Sequence, residues 1–384
     1  MSPSDARGYD LAIIGAGIVG LAHALAAVQM GKRVVVIERG PRANGASIRN
    51  FGFVTVTGQQ RGEHWRLARR SRDVWADIAP RAGIAVEHQG LYLTLRRPEA
   101  VDVASAFLET EMGEGCALLD AAALRVGHPQ IAAPDTLGAL YSPHDLRVES
   151  RTALPRLAAW LAEARGVDFI TGAAVLDASP PLIQTSRGPV SAQAAIVCPG
   201  DDFATLFPKR IEAYGVERCR LSMLRLADPG FRLPGAIMSD LSLTRYRGYA
   251  DLPEAAPLKQ RLAVDQPRHL ANGVHLIVVQ SADGSLVVGD SHHYADQPWP
   301  FAPVEAEEMI LDEFACATGL TPPRVIERWT GEYAVAADRN YFIDAPSPDV
   351  RLVIVTSGSG ASTAFGIAEK TLADLYGVTT GTDQ

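Results

Sequence analysis

The chain has 384 residues, 47% of them hydrophobic, and a formal net charge of −8. That length supports two domains with proper cores, and the acidic balance argues against a nucleic-acid partner, which favours basic surfaces. The four cysteines, Cys116, Cys198, Cys219 and Cys316, show neither a CxxC pair nor zinc spacing, as in a reduced, cytoplasmic protein.

In chain order, the leader carries Asp5 and Asp10 against Arg7, with no basic n-region, so no signal peptide is expected. Residues 11–14 form a short apolar run, followed by Gly15-x-Gly17-x-x-Gly20, a helix-like segment over 21–30 and a second apolar run over 34–37 that closes on Glu38. This is a strand–turn–helix–strand unit carrying a dinucleotide fingerprint in its required context. Gly15 allows the sharp turn, Gly17 lets a pyrophosphate approach the backbone, and Gly20 lets the helix pack against the strand. The helix start, with Ile18 and Val19, offers free N–H groups and a positive dipole end to phosphates. Glu38 stands where a carboxylate bonds a ribose 2′-OH and repels a 2′-phosphate, so FAD or NAD is favoured over NADP. The three turn glycines, His23 and Gln29 argue against reading this window as a membrane span.

Residues 39–59 are rich in Gly, Arg, Asn and Ser and show little periodicity. Arg39 and Arg42 follow the ribose carboxylate, and Ser47, Arg49 and Asn50 can donate to a phosphate or to a flavin ring edge. Here the residues carry a resemblance. The fingerprint with Glu38, then Gly45-Ala46-Ser47-x-Arg49-Asn50-Phe51-Gly52, resembles the D-amino-acid oxidase superfamily of flavoproteins, which includes glycine and sarcosine oxidases. The resemblance implies an α/β fold: a Rossmann-like FAD-binding domain (1–85, 140–212 and 320–384) and an antiparallel-sheet α+β substrate domain (86–139 and 213–319). It also implies that this loop runs along the pyrophosphate and reaches the isoalloxazine.

An amphipathic helix is expected over 64–82, a strand over 88–95, a helix over 98–113 and a short helix over 118–124. The arginines at 66, 69, 70 and 72 read as a solvated helix face. Residues 138–150 read as a strand leading into a helix over 151–165, with His144 and Asp145 as turn residues rather than a catalytic pair. The resemblance places Val175 against the adenine and makes Pro199-Gly200 a second pyrophosphate contact. A β-rich region is expected from 212 to 288, including an alternating stretch over 244–249 with Tyr246 and Arg247, and a hairpin around residues 282–285. The strand after it resembles the family's strand that crosses over the flavin, which nominates Asp290, His292 and His293. Successive strand residues face opposite ways, so at most one histidine enters the site, and His292 is the choice. For the same reason a metal site made of Asp290, His292 and His293 is not expected.

A helix is expected over 307–318. In the amino-acid-oxidising relatives the following strand pair carries an arginine that clamps the substrate carboxylate. Here that place reads Trp329-Thr330-Gly331-Glu332-Tyr333, and Arg328 precedes it. The family's flavin-attaching cysteine is also missing from this region, which implies non-covalent FAD. The sarcosine-type lysine would lie near Val287 or Val288 and is absent. Residues 352–375 hold a second strand–glycine turn–helix, with Gly358, Ser359, Gly360, Ala361, Ser362 and Thr363 in the turn. In the family the start of that helix stabilises reduced flavin.

The resemblance, which covers nearly the whole chain, implies an FAD-dependent oxidase of a small primary or secondary amine, with O2 as acceptor and H2O2 as product. The polar positioners are Arg49, His292, Tyr246 and Tyr333. The Ser-x-Arg-Asn-Phe-Gly loop resembles a subgroup linked with organophosphonates, so 2-aminoethylphosphonate or its N-methyl form leads. Arg49, Arg245, Arg247 and His292 are the donors for its dianion. Glycine, sarcosine or a D-amino acid as substrate, and an acceptor other than O2, remain open. No membrane partner is expected, and a homo-oligomer stays open.

Overall fold

The computed structural model describes residues 8–378; Asp5 and Arg7 of the leader, and the chain ends of the expected first domain, lie outside them. Two sheets organise the chain. The first runs, in spatial order, Tyr341–Ser347, Val350–Val355, Val190–Val197, Tyr9–Ile14, Val34–Glu38, Asp168–Thr171. Its central strands pair in parallel, Leu11 facing Val34 on one side and Ala194 on the other. Such strands are covered on both faces and so read as unbroken apolar runs: Leu11, Ala12, Ile13, Val35 and Val36 are all fully buried. The helices Ile18–Gln29, Glu63–Arg81 and Gly360–Tyr376 pack together on one face around Leu25, Trp75 and Phe365. The N- and C-terminal parts of the chain therefore share one core.

The second sheet runs His293–Ala295, Glu217–Leu226, Leu286–Gly289, Ile277–Gln280, Ala236–Ser239, Val86–Leu95, Gly138–Val148, Phe53–Val54, with Val325–Val335 joined to Glu217–Leu226. It is antiparallel except for the parallel pair Ala236–Ser239 and Val86–Leu95. Gly138–Val148 and Val325–Val335 hydrogen-bond within this second sheet, although the expected boundaries placed most of each in the first domain.

Several elements differ from expectation. The stretch 244–249 is not a strand: a 3-10 turn, Asp240–Thr244, leads into a helical turn, Arg247–Ala250. Gly248 donates its N–H to Gly58 O, and a Cβ there would meet Gly58 and Gln59 backbone within 2.4–2.7 Å. Close packing against residues 58–59 takes the place of strand pairing. Helices Ala255–Asp265 and Pro267–Ala271 also interrupt the expected β region. The first has a readable sign, since Ala255, Leu258 and Leu262 are buried at helical spacing. Instead of one helix over 118–124, a strand, Ala117–Asp120, ends where the Asp120 carboxylate caps the helix Ala121–Gly127 by accepting from Ala123 N. The helix from Pro98 stops at Leu108, and Thr110 caps a 3-10 turn beyond it. His144 and Asp145 lie inside a strand, not a turn. Asp145 is fully buried and accepts from Val56 N, Thr57 N, Thr55 Oγ1 and Thr57 Oγ1 at 2.7–3.1 Å. It is a structural anchor for the segment 55–57, which borders the cavity described next.

Candidate active site

A cavity of about 470 Å³ lies between the two sheets, and both glycine turns open onto it. At the first turn Gly15 has φ +103°, and a Cβ on Gly20 would lie 1.9 Å from Gly15 O. That contact is possible only without a side chain, so the helix Ile18–Gln29 starts hard against its strand. Gly17 and Ile18 line the cavity, and Ser47 Oγ accepts from Ile18 N at 2.9 Å. The loop 45–52 is laid across this helix start and holds its own shape. Asn50 Nδ2 donates to Ala46 O, Asn50 Oδ1 accepts from Gly52 N, and Ser150 Oγ donates to Ile48 O. Gly52 has φ +67°, and a Cβ there would sit 1.7 Å from Val148 O. Trp329 Nε1 donates to Arg49 O, and Gly331 packs on the same carbonyl. Glu38 accepts from Ala16 N and Gly40 N, both at 2.9 Å, which sets its carboxylate at the end of the second strand.

The second turn, with Gly358 at φ +69°, leads into Gly360–Tyr376. Gly358, Ser359, Gly360, Ala361 and Ser362 line the cavity; Thr363 is buried just behind and donates to Ser359 O. Neither helix start is capped by its own N-cap side chain, and neither has an acidic residue in its first turn. Two positive helix ends that face one cavity suit an anionic dinucleotide. His64, which the sequence reading missed, also lines the wall; its Nε2 lies 3.2 Å from Ser359 Oγ, and burial lowers its pKa to about 4. Other nominated residues stand off the wall. Val175 is buried in the apolar cluster of the first sheet, and Arg39 is exposed and pairs with Asp202. Pro199 lies between two wall residues, Cys198 and Gly200.

The other end of the cavity is lined by Arg49, Arg245, Tyr246, Arg247, Glu332 and Tyr333, together with a buried group of His275, Asp290 and His292. His292 is on this wall and His293 is not. Arg245 donates to Tyr294 Oη at 2.8 Å, and Arg220 pairs with Glu332 at 3.0 Å. Arg328 pairs with Glu307 away from the cavity. Burial would lower the Arg245 pKa, but the phenols of Tyr333 and Tyr294 and the Asp290 carboxyl outweigh it and raise it. Burial pushes the Tyr246 and Tyr333 phenols up, so both remain O–H donors at neutral pH. It lowers His275 and His292 well below the ordinary value and raises Asp290 to about 7 against the pull of Arg245. His275 was not singled out in the sequence. The hairpin around 282–285 was the available signal, because it brings His275 and Asp290 to exchange backbone hydrogen bonds.

The family model described as FAD dependent oxidoreductase, DAO, matches residues 10–375. The chain belongs to the DAO family of FAD-dependent oxidoreductases. It is an enzyme of that class, and FAD is its cofactor. Among solved structures, glycine oxidase from Bacillus cereus ATCC 14579 is similar at 16% identity, covering 97% of this chain and 96% of that one, TM-score 0.76. L-proline dehydrogenase from P. horikoshii matches at 16% identity over 98% and 95%, TM-score 0.78. L-alpha-glycerophosphate oxidase from Mycoplasma pneumoniae, solved with FAD bound, matches at 15% over 96% and 94%, TM-score 0.73. These likenesses establish a shared fold. No curated protein sequence matches the chain. Among the described residues no helix is long and apolar enough to cross a membrane, and the four cysteines are free.

Proposed function

We propose that this FAD-dependent oxidoreductase is an oxidase of a small primary or secondary amine bearing a phosphonate, such as 2-aminoethylphosphonate or its N-methyl form. The observation that carries the reading is the cavity itself. One void joins the two glycine turns to a wall that carries Arg49, Arg245 and Arg247. A tetrahedral dianion takes several charge-assisted donors, and separated guanidiniums supply them. The turning away of Arg328 toward Glu307 supports this over a single planar carboxylate clamp on that strand.

FAD, when bound, would supply the redox chemistry: acceptance of a hydride from the carbon beside nitrogen and transfer of the electron pair to O2 as H2O2. The chain's own residues bind and orient. In this reading Arg245 holds the anionic group, while the neutral hydroxyls of Tyr246 and Tyr333 donate to the substrate and set its angle. Phe51, Phe53, Leu221 and Ile277 on the wall keep water from the reacting carbon. The imine product is hydrolysed by water, and no acid–base triad is needed. FAD is held without a covalent bond: residues 325–347 contain no cysteine, and burial pushes up the thiol of Cys198, the cysteine on the cavity wall among the described residues.

The test is anaerobic bleaching of the bound flavin by glycine, sarcosine, D-alanine, 2-aminoethylphosphonate and its N-methyl form. The reading expects fast bleaching by an aminophosphonate, with peroxide on readmission of air. Faster bleaching by glycine or sarcosine keeps the enzyme class and overturns the phosphonate assignment. No bleaching by any of them overturns the aminophosphonate assignment while the family membership stands.

A further inference from the structure

The group His275, Asp290 and His292 sits on the cavity wall, and each of the three is nearly fully buried. One ligand atom from each lies within 4.8 Å of the others. His275 Nε2 is 3.2 Å from Asp290 Oδ1, and His292 Nε2 is 3.6 Å from Asp290 Oδ2. Despite this closeness Asp290 Oδ1 has no hydrogen-bond partner, which is a costly state for a buried carboxylate oxygen. The ion-pair partners of Asp290 among the described residues are these two imidazoles; the Arg245 guanidinium donates instead to Tyr294.

The outer nitrogens are occupied. His292 Nδ1 lies 2.8 Å from Gly273 O, a pure acceptor, so Nδ1 carries the proton and donates, and the lone pair of the neutral ring is on Nε2. His275 Nδ1 faces Ser242 Oγ at 3.3 Å. This is the outer-partner pattern of metal-bound histidine, where the far nitrogen is held by a carbonyl or hydroxyl. The two imidazole-to-carboxylate distances, each to its own oxygen of Asp290, bracket the roughly 3.3 Å that separates ligands held at about 2.0–2.1 Å around zinc, and the 4.8 Å bound leaves the group to close slightly on a cation. The two rings are stacked at 5.1 Å with planes 22° apart, and both Nε2 atoms approach the same carboxylate.

We propose that His275, Asp290 and His292 form a site for a divalent transition-metal cation of the zinc class, with its fourth position open to the cavity. A carboxylate and two imidazole nitrogens crowded without mutual hydrogen bonds are a donor set that a central cation would hold together. His293, adjacent in sequence, is not part of it, because its side chain is off the cavity wall.

The experiment is metal analysis of the holoenzyme after chelation and equilibrium dialysis against zinc chloride. The wild type is expected to retain about one zinc per chain. Asp290→Asn and His292→Ala should each weaken retention at least about tenfold, while His293→Ala binds as the wild type does. Flavin per chain, read from its absorbance, reports whether each variant is folded. Wild type that retains no zinc overturns the proposal whatever the variants do, as do folded Asp290→Asn and His292→Ala variants that retain as much as the wild type. The readout is a metal count without turnover, so its failure is separate from any failure of the amine-oxidase reading.

Discussion

The two ends of the cavity are built differently. At the end we propose for the cofactor the groups presented are largely main chain: glycine turns and two helix starts, with the Ser47 and Glu38 side chains bonded to backbone N–H groups. At the end we propose for the substrate they are side chains drawn from separate segments of the second sheet and its crossovers, namely Arg245, Tyr246, His275, Asp290, His292 and Tyr333. Backbone recognition demands contiguous residues with special conformations. Side-chain recognition demands only that distant positions arrive at one wall. The first end therefore has positions, Gly15, Gly20 and Gly52, where an added Cβ would meet backbone at 1.7–2.5 Å, while the second is tunable one residue at a time.

The largest expected effect lies at the cofactor end. Gly20→Ala places a Cβ 1.9 Å from Gly15 O, a backbone atom that has nowhere to retreat. Flavin retained per purified chain, read by absorbance, should fall to less than about a tenth of wild type, because helix and strand must separate at the turn we propose for the pyrophosphate. Near-normal flavin content would break the contrast between the ends.

A smaller effect is expected away from both ends. Glu313 is fully buried beside Asp240, and burial raises its carboxyl from 4.5 to about 7. A carboxyl raised on folding binds its proton more tightly in the native state, so stability is greatest at low pH and falls as pH climbs from about 4.5 to about 7. Glu313→Gln should remove most of that slope, worth on the order of 1–3 kcal/mol, as read by thermal unfolding at the two pH limits. It should leave flavin content unchanged. A slope that persists in the variant would assign the pH dependence to another group.

This contrast also explains what could be read from sequence. Gly15, Gly17, Gly20 and Glu38 fall within one short stretch, and their tasks follow from the absence of a side chain or from a spacing along one strand. The C-terminal turn, Gly358 to Ser362, was legible for the same reason. Asp145 was read as a turn residue because its partners, Thr55, Val56 and Thr57, are about 90 positions away, and nothing local announces a buried carboxylate anchor. His275 is legible only when the expected hairpin is followed to its far strand, where Asp290 exchanges backbone hydrogen bonds with it, and its other partner, Ser242, is 33 positions away. The stretch 244–249 alternates like a strand, but packing on Gly58 overrode the pattern.

The central claim is that one cavity joins a main-chain flavin cradle to an arginine-built anion seat. The most direct test is a titration of the bound flavin's absorbance with methylphosphonate, which cannot be oxidised as an amine, in wild type and Arg245→Met. The account predicts a saturable spectral change in the wild type, and binding weakened about 100-fold in the variant with flavin content preserved. A silent wild-type spectrum, or equal binding in the two proteins, would contradict it.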